Sequence, residues 1–151
     1  MKNKMINAWL GKSRAELDDI YRSAAPGEIP AGDTQGTAIL AGSKYAKTVA
    51  AAARILAWQG KVFDLFSSDR QSGILVNKIT PLGVRCIIAK VYRGKSWLDG
   101  KETIVIDYSK TSLAARLIRD EIREIEPGVY LGKVWWKKKR VLDFALTRNA
   151  H

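Results

Sequence analysis

The sequence has very few of the side chains that build disulfides, metal sites and histidine-based active sites. It contains one cysteine, Cys86, and one histidine, His151, which is the last residue. A single cysteine cannot form a disulfide within the chain, so nothing calls for an oxidising compartment and we expect a cytoplasmic location. A lone terminal histidine argues against a histidine-based triad, a histidine-ligated zinc and a histidine-ligated haem. We therefore expect no metal site and no cofactor.

The sequence also lacks long apolar runs. The first residues, MKNKMINAWLGK, begin with lysines and continue with apolar side chains, as a signal peptide does. The apolar part is interrupted by Asn7 and ends at Gly11-Lys12, which is too short for a secretory core or a spanning helix. We therefore expect neither a signal peptide nor a transmembrane helix.

What the chain does contain is enough apolar residues for one core and an excess of positive charge. Its 151 residues are 46% hydrophobic, which fits a single domain over residues 1–151, with residues 1–32 forming a helix and loop that pack on it. The 26 Lys and Arg against 15 Asp and Glu give a formal charge of +11. That balance favours an anionic partner, such as nucleic acid, an acidic membrane surface or an acidic small molecule.

The clearest structural pattern is a hairpin from Val84 to Tyr108. Two runs rich in β-branched and aromatic residues, 84–92 and 103–108, flank Asp99-Gly100. Asp-Gly readily adopts the positive φ angles of a tight hairpin turn. We therefore predict two antiparallel strands joined at this pair.

Helical patterns occur at two places before this hairpin. Ser13-Arg14-Ala15-Glu16 has the form of a capping box and predicts a helix over residues 14–24. Leu17, Ile20 and Tyr21 should face the protein, with Asp18, Asp19 and Arg22 outward. The alanine-rich segment from Lys44 to Ala57, capped by Ser43, predicts a second helix. A short helix is also predicted from Ser112 to Ile118.

The remaining patterns predict a barrel. With the hairpin above, the predicted strands number about eight, and the further six are 36–40, 58–66, 73–79, 120–125, 129–136 and 140–147. Hairpin bends are predicted at Glu126-Pro127-Gly128 and around Lys137-Lys138-Lys139. Eight strands in a meander can close on themselves and remove the exposed sheet edges. The predicted fold class is mainly β, a closed antiparallel barrel with one N-terminal helix and one helix between the first two strands.

Several segments together resemble a family of small bacterial proteins. They are GTAIL, WQGKVFD, LVNKITP, VYRGKSWLDGKE, IVIDYSKTS, IRDEIREIEPGVYLGKVWW and LDFAL, and the resemblance spans about Glu16 to Thr147. This resemblance implies no particular activity. More distantly, the strand count and the early inserted helix are similar to the calycin barrels, the lipocalins and fatty-acid-binding proteins, which implies a ligand cavity. The chain departs from lipocalins in having no disulfide and in carrying Trp58-x-Gly-Lys on its second strand.

Two of the predicted strands are apolar on both faces, namely 84–91 and 129–136. A sheet with one covered face should alternate more strictly. Either helices or a partner subunit in a homodimer cover the outside, or the inside is an apolar cavity. In a cavity, polar residues would fix a head group and aromatic residues would hold an apolar body; the candidate ligand-binding residues are Lys61, Phe63, Asn77, Arg85, Asp107, Tyr108, Tyr130 and Trp135. The sequence thus predicts a small hydrophobic ligand with an acidic or carbonyl head group, resembling a fatty acid or lipid.

Two other functions are consistent with the sequence. A small barrel enzyme, an isomerase or cyclase, could use Asp107 or Tyr108 beside the mixed-charge segment 119–124, although that segment fits a salt-bridged structural corner better. A nucleic-acid or membrane-surface module could use the basic aromatic patch formed by Lys133, Trp135, Trp136, Lys137, Lys138, Lys139 and Arg140.

Overall fold

The chain folds into a β-barrel with two helices at its N-terminus. The computed structural model describes residues 1–40, 58–65, 71–79, 87–111, 113 and 115–149, and the side chains of 58–62, 77–79 and 87 lie outside that description. The helices are α1 (Lys2–Leu10) and α2 (Arg14–Ser23). The strands are β1 (Gly32–Ile39), β2 (Trp58–Leu65), β3 (Ser72–Ile79), β4 (Ile87–Lys95), β5 (Glu102–Asp107), β6 (Ile118–Glu126), β7 (Val129–Trp136) and β8 (Lys139–Arg148).

Each strand pairs antiparallel with the next, and β1 pairs with β8, so the sheet closes. The predicted closed barrel of about eight antiparallel strands is therefore confirmed. The closure is uneven. β1 pairs with β8 through six residue pairs, from Thr34↔Arg148 to Ile39↔Asp143, whereas its pairs with β2 are Gly32↔Phe63 and Asp33↔Val62.

The antiparallel order gives the barrel two distinct ends. At one end lie the turns between β4 and β5 and between β6 and β7, together with residues 24–31, which precede β1. We call this the plug end. At the other end lie the β5–β6 connection, residues 108–117, and the β7–β8 turn at Lys137-Lys138. We call this the tip end.

The two helices pack on the outer face of the barrel. Ile6, Trp9, Leu17 and Tyr21 form a buried apolar cluster with the strand residues Ile39, Val129, Leu131 and Ala145. In α2 the predicted capping box is confirmed, because the Glu16 amide donates to Ser13 Oγ at 3.2 Å and the Ser13 amide donates to Glu16 Oε2 at 2.7 Å. This box starts the helix at Arg14 and places its apolar stripe against the sheet.

Two local predictions are wrong. The predicted antiparallel hairpin is confirmed by the pairing of β4 with β5, but its turn is wider than a tight Asp-Gly turn. The Ser96 amide donates to the Lys101 carbonyl, and of the central pair Gly100 alone has a positive φ, 71°. The predicted helix from Ser112 to Ile118 is replaced by turns at residues 113 and 115–117, and Ile118 begins β6. Tertiary packing overrides helix propensity there, since Ala115 is buried in the barrel interior.

Some predictions fall on parts of the chain that are not described. The helix predicted from Lys44 to Ala57 lies outside the described residues, as does the start of the predicted strand at Val84. The bends predicted at Pro127-Gly128 and at Lys137-Lys138 are confirmed, with Gly128 at φ 74°.

Candidate ligand-binding interior

The interior of the barrel is lined by one continuous apolar cluster. Alternate residues of a strand point to the same face, and seven strands, β2 to β8, contribute buried side chains to this cluster. Ile29 enters it from the plug end and Ala115 from the tip end. The strand members are Phe63, Leu75, Ala89, Val91, Ile104, Ile106, Ile122, Tyr130, Leu142, Phe144 and Leu146, with Tyr108 directly after β5.

The ring of Phe144 lies flat against the backbone of β7. Gly132 is opposite Phe144 in the strand pairing, and a Cβ atom on Gly132 would collide with that ring. Glycine is therefore required at this position for a large aromatic side chain to occupy the interior at this level.

A polar pair interrupts the apolar wall towards the tip end. The Tyr108 hydroxyl donates to Asp120 Oδ2 at 3.1 Å, and both residues are buried. A buried carboxyl group is costly without hydrogen bonds, so this pair is the part of the described interior best suited to a polar group of a ligand.

The plug end is covered by residues 24–31, which we call the plug. Ile29 is 3% exposed and is inserted among the interior side chains. Four hydrogen bonds anchor the backbone of the plug: Tyr130 Oη to Glu28 O (2.8 Å), Arg93 Nη2 to Gly27 O (2.8 Å), the Glu124 amide to Pro26 O (3.1 Å) and the Glu28 amide to Glu124 Oε2 (3.1 Å). Burial and the Glu124 carboxylate raise the pKa of Tyr130, which keeps its hydroxyl protonated as a donor. Among the described residues, the plug thus covers the interior cluster at this end.

Outside the barrel, Glu121 is completely buried beneath α2. Its carboxylate accepts hydrogen bonds from Ser96 Oγ at 2.6 Å and from the Trp97 amide at 2.7 Å. Arg119 Nε donates to it at 3.1 Å, and the Tyr21 hydroxyl at 3.4 Å. These four donors satisfy the buried charge, which makes Glu121 a structural anchor for the β4–β5 connection.

Arg123 is the second buried charge on this outer face. Its guanidinium group binds Asp99 through both terminal nitrogens, at 2.6 and 2.8 Å, and stacks over the Tyr21 ring at 4.4 Å. The hydrogen bond from Arg123 holds the pKa of Asp99 below its usual value. The segment 119–124 is therefore the salt-bridged corner that the sequence favoured.

A second ion-pair cluster joins α2 to β7 and β8. Lys133 Nζ lies 2.9 Å from Asp18 Oδ1 and 3.1 Å from Asp143 Oδ2, and Arg140 Nη2 lies 2.7 Å from Asp18 Oδ1. Burial lowers the pKa of Lys133 and raises that of Asp143. Lys133 and Arg140 were predicted in an exposed basic patch, and this placement is wrong because both lie beneath α2 with acidic partners.

Of the eight predicted ligand-binding residues, Phe63, Tyr108 and Tyr130 line the interior. Lys61 and Asn77 pair through their backbones on β2 and β3, but their side chains are not described, and Arg85 lies outside the described residues.

The predicted interior positions of Asp107 and Trp135 are wrong, because both side chains lie on the outer face. Asp107 accepts a hydrogen bond from the Tyr92 hydroxyl at 2.9 Å, and Trp135 packs edge-on against Trp97 at 5.8 Å between ring centroids. The alternation of side chains along a strand explains both positions, because residues an odd number of positions apart face opposite sides. Asp107 directly precedes the inward-facing Tyr108, and Trp135 lies five residues after the inward-facing Tyr130. Asp107 and Tyr108 therefore cannot serve one reacting centre.

The buried outer-face charges Glu121, Arg123 and Lys133 were not predicted to lie beneath a helix. Their signal in the sequence is weak: on β6 charged residues occupy both faces, so the spacing does not indicate which of them is covered, and on β7 Lys133 is a single charge among apolar residues.

In the parts of the chain described above, no group of three or more His, Cys, Asp or Glu side chains is placed to hold a metal ion. No helix within the described ranges is long and apolar enough to span a bilayer.

The chain belongs, by its fold and interior, to the class of closed antiparallel β-barrels. No family model matches it, and no curated protein matches it. A solved structure, "Crystal structure of protein from Thermomonospora curvata", is similar in fold, with a TM-score of 0.64, 20% sequence identity, and coverage of 98% of this chain and 95% of that chain. At this identity the likeness supports the barrel fold alone.

Proposed function

We propose that the barrel binds a small hydrophobic ligand with an acidic or carbonyl head group, resembling a fatty acid or lipid, in the manner of a calycin-like carrier. The observation that carries the proposal is the continuous apolar wall contributed by seven strands and covered at the plug end. Sites that hold such ligands are concave and mostly apolar, with a few placed polar groups. The absence of a second cysteine keeps the cytoplasm as the proposed location.

The apolar body of the ligand would contact Phe63 and Tyr130, and its head group would lie beside Tyr108. An acidic head group next to Asp120 requires a proton or a cation between the two carboxyl groups, because like charges repel at short range. Lys61 and Arg85, which the sequence predicts as interior residues, would supply that cation. A carbonyl head group would instead accept the hydrogen bond of the Tyr108 hydroxyl, in place of Asp120, because a phenol has one proton to donate.

The expected affinity follows from the apolar body. Each buried methylene group contributes about 0.8 kcal/mol, so a ten-carbon chain gains roughly 8 kcal/mol before the costs of association. For an 18-carbon chain roughly 14 kcal/mol less about 6 kcal/mol of association costs leaves about 8 kcal/mol, so we expect a dissociation constant on the order of micromolar for long chains and weaker binding for medium ones.

The test is displacement of a fluorescent fatty acid by unlabelled decanoate and oleate, without membranes present. Tyr108→Phe removes the interior hydroxyl and keeps the ring, so we expect affinity to fall roughly tenfold, as loss of one hydrogen bond to a charged group predicts. The matched control is Tyr92→Phe, which removes the hydroxyl that binds Asp107 on the outer face and should leave affinity unchanged.

Two outcomes would overturn the proposal. One is the absence of saturable binding by the folded wild-type protein for every chain length. The other is an equal loss of affinity in the Tyr92 and Tyr108 variants, since binding would then not depend on the interior.

A further inference from the structure

The tip end of the barrel carries exposed apolar and basic side chains side by side. Leu113 is 90% exposed, Leu117 44% and Trp136 49%. The backbone joins Leu117 and Trp136 to the β7–β8 turn, because the Lys137 amide donates to the Leu117 carbonyl at 3.1 Å and Trp136 pairs with Ile118. Leu113 belongs to the same β5–β6 connection as Leu117. We call the set Leu113, Leu117, Trp136, Lys137, Lys138 and Lys139 the tip surface.

The β7–β8 turn holds two lysines in a strained backbone conformation. Lys137 has φ 48° and Lys138 has φ 64°, and Trp136 pairs with Lys139. A two-residue turn with both central residues at positive φ favours Asn-Gly, since side chains with a Cβ atom are disfavoured there. Strain of this kind points to a role for the side chains that the turn presents, and here the turn presents consecutive positive charges at the end of the molecule.

The apolar members of the tip surface favour lipid over nucleic acid. Single-stranded nucleic acid binds through aromatic platforms on which bases stack, but the exposed leucines offer no such platform, and Lys137 Nζ covers one face of Trp136 at 4.8 Å from the ring centroid. Proteins that bind membrane surfaces typically combine three kinds of side chain. Aliphatic side chains enter the bilayer, tryptophan lies at the depth of the head groups, and lysines reach the anionic phosphates.

We infer that the tip surface docks on an anionic lipid bilayer. Docking in this orientation places the tip end, which is opposite the plug, against the membrane. This docking rests on the proposed function in one respect, because the membrane would be the source or destination of the apolar ligand.

The experiment is co-sedimentation of the full chain with phosphatidylcholine vesicles that contain or lack phosphatidylglycerol. The double substitution Lys137→Asn with Lys138→Gly removes two charges and also supplies the residues that the turn favours. Each lysine near an anionic surface contributes roughly fivefold in partition, so we expect binding to weaken roughly 25-fold while the midpoint of thermal unfolding rises. A rise in that midpoint shows that weaker binding does not come from unfolding.

The matched control is Lys95→Gln with Lys101→Gln, which removes the same charge from exposed lysines at the plug end. It should bind like the wild-type chain. The apolar part is tested with Leu113→Ser against Leu10→Ser, the latter on α1 at 49% exposure. We expect the Leu113 variant alone to lose affinity.

Three outcomes would overturn the inference: equal binding to vesicles with and without phosphatidylglycerol, equal losses in the tip and plug-end lysine variants, or binding to a single-stranded oligonucleotide in place of vesicles. A failure of membrane docking can be distinguished from a failure of ligand binding in the interior. The tip variants should keep the affinity for decanoate measured without membranes, and a protein that binds vesicles but no fatty acid would contradict only the interior site.

Discussion

Asp99 illustrates how one side chain can have a role that its sequence context does not reveal. In the sequence it is half of an Asp-Gly turn signal. In the structure its carboxylate binds the fully buried guanidinium group of Arg123. The partner is 24 residues away, so no local pattern identifies it. The pair fastens the β4–β5 connection to β6.

Removing this carboxylate should be costly. We expect Asp99→Asn to lower the free energy of unfolding by about 3 kcal/mol near neutral pH, because it leaves the buried charge of Arg123 without an anionic partner. Since the pKa of Asp99 is lowered in the folded state, its contribution is complete above the unfolded value of about 3.9 and is lost as pH falls through the folded value. Urea unfolding from neutral pH down to about pH 3 measures both effects.

The difference between wild type and variant should therefore narrow below about pH 4. The control is Asp19→Asn on α2, an exposed partner of Arg22, which should change stability little at any pH. A constant difference across the acid range would contradict the assignment.

At the scale of elements, α2 is attached to the barrel by both apolar and ionic contacts. Leu17 and Tyr21 are completely buried against the sheet, as the helical spacing predicts. Asp18 was predicted to face outward but contacts Lys133 and Arg140 of the barrel. Periodicity predicts which stripe of a helix is buried, but it cannot show that a charged neighbour of that stripe meets opposite charges on a strand.

We expect this ion-pair cluster to give strongly non-additive mutational effects. Lys133→Met leaves Asp143 without its closest cation and Asp143→Leu leaves Lys133 with one partner, so each should cost about 3 to 5 kcal/mol. The double variant removes both charges and keeps the Asp18–Arg140 pair at 2.7 Å, so it should cost less than either single change. Urea unfolding of the four proteins gives the coupling energy.

Additive losses in that cycle would show that the two charges act independently. The matched control pairs Asp143→Leu on the outer face with Ile29→Ala, which lies in the interior cluster and not among the ion pairs beneath α2. Those two changes should add within a few tenths of a kcal/mol.

Most of the secondary structure could be predicted from the sequence. Alternation predicted β8, the capping box predicted the start of α2, and Pro127-Gly128 predicted the β6–β7 turn. The site was harder to predict, because a strand that is apolar on both faces does not indicate which face is inside. Trp135 and Tyr130 have opposite parity on β7, and only the closed barrel shows that Tyr130 is the inward one.

At the scale of the whole molecule, the plug covers one end of the barrel. Ile29 packs into the interior cluster, and the backbone around it is held by Tyr130, Arg93 and Glu124. Because the plug lies directly before β1, the helical N-terminal segment and the covered end are continuous in sequence.

Truncating Ile29 should affect both stability and ligand retention. Ile29→Ala should lower the free energy of unfolding by about 2 to 5 kcal/mol through the cavity that it leaves. It should also speed release of a bound fluorescent fatty acid, because the plug is loosened. Stopped-flow displacement measures the release rate, with Ile6→Ala as the control.

Ile6 is also buried, but in the cluster on the outer face. Its truncation should destabilise the fold and leave the release rate unchanged. Equal acceleration in both variants would mean that global destabilisation, and not the plug, governs release.

The strand pairs on the two sides of β1 also bear on where neighbouring strands of the barrel separate. Among the described residues, β1 pairs with β8 at six positions and with β2 at two, and separation of neighbouring strands requires the backbone hydrogen bonds between them to break. We therefore expect β1 to separate from β2 more readily than from β8, which faster hydrogen exchange of the β1 amides that face β2 would show. A bulky guest could then widen the barrel at this one junction of its eight-stranded wall.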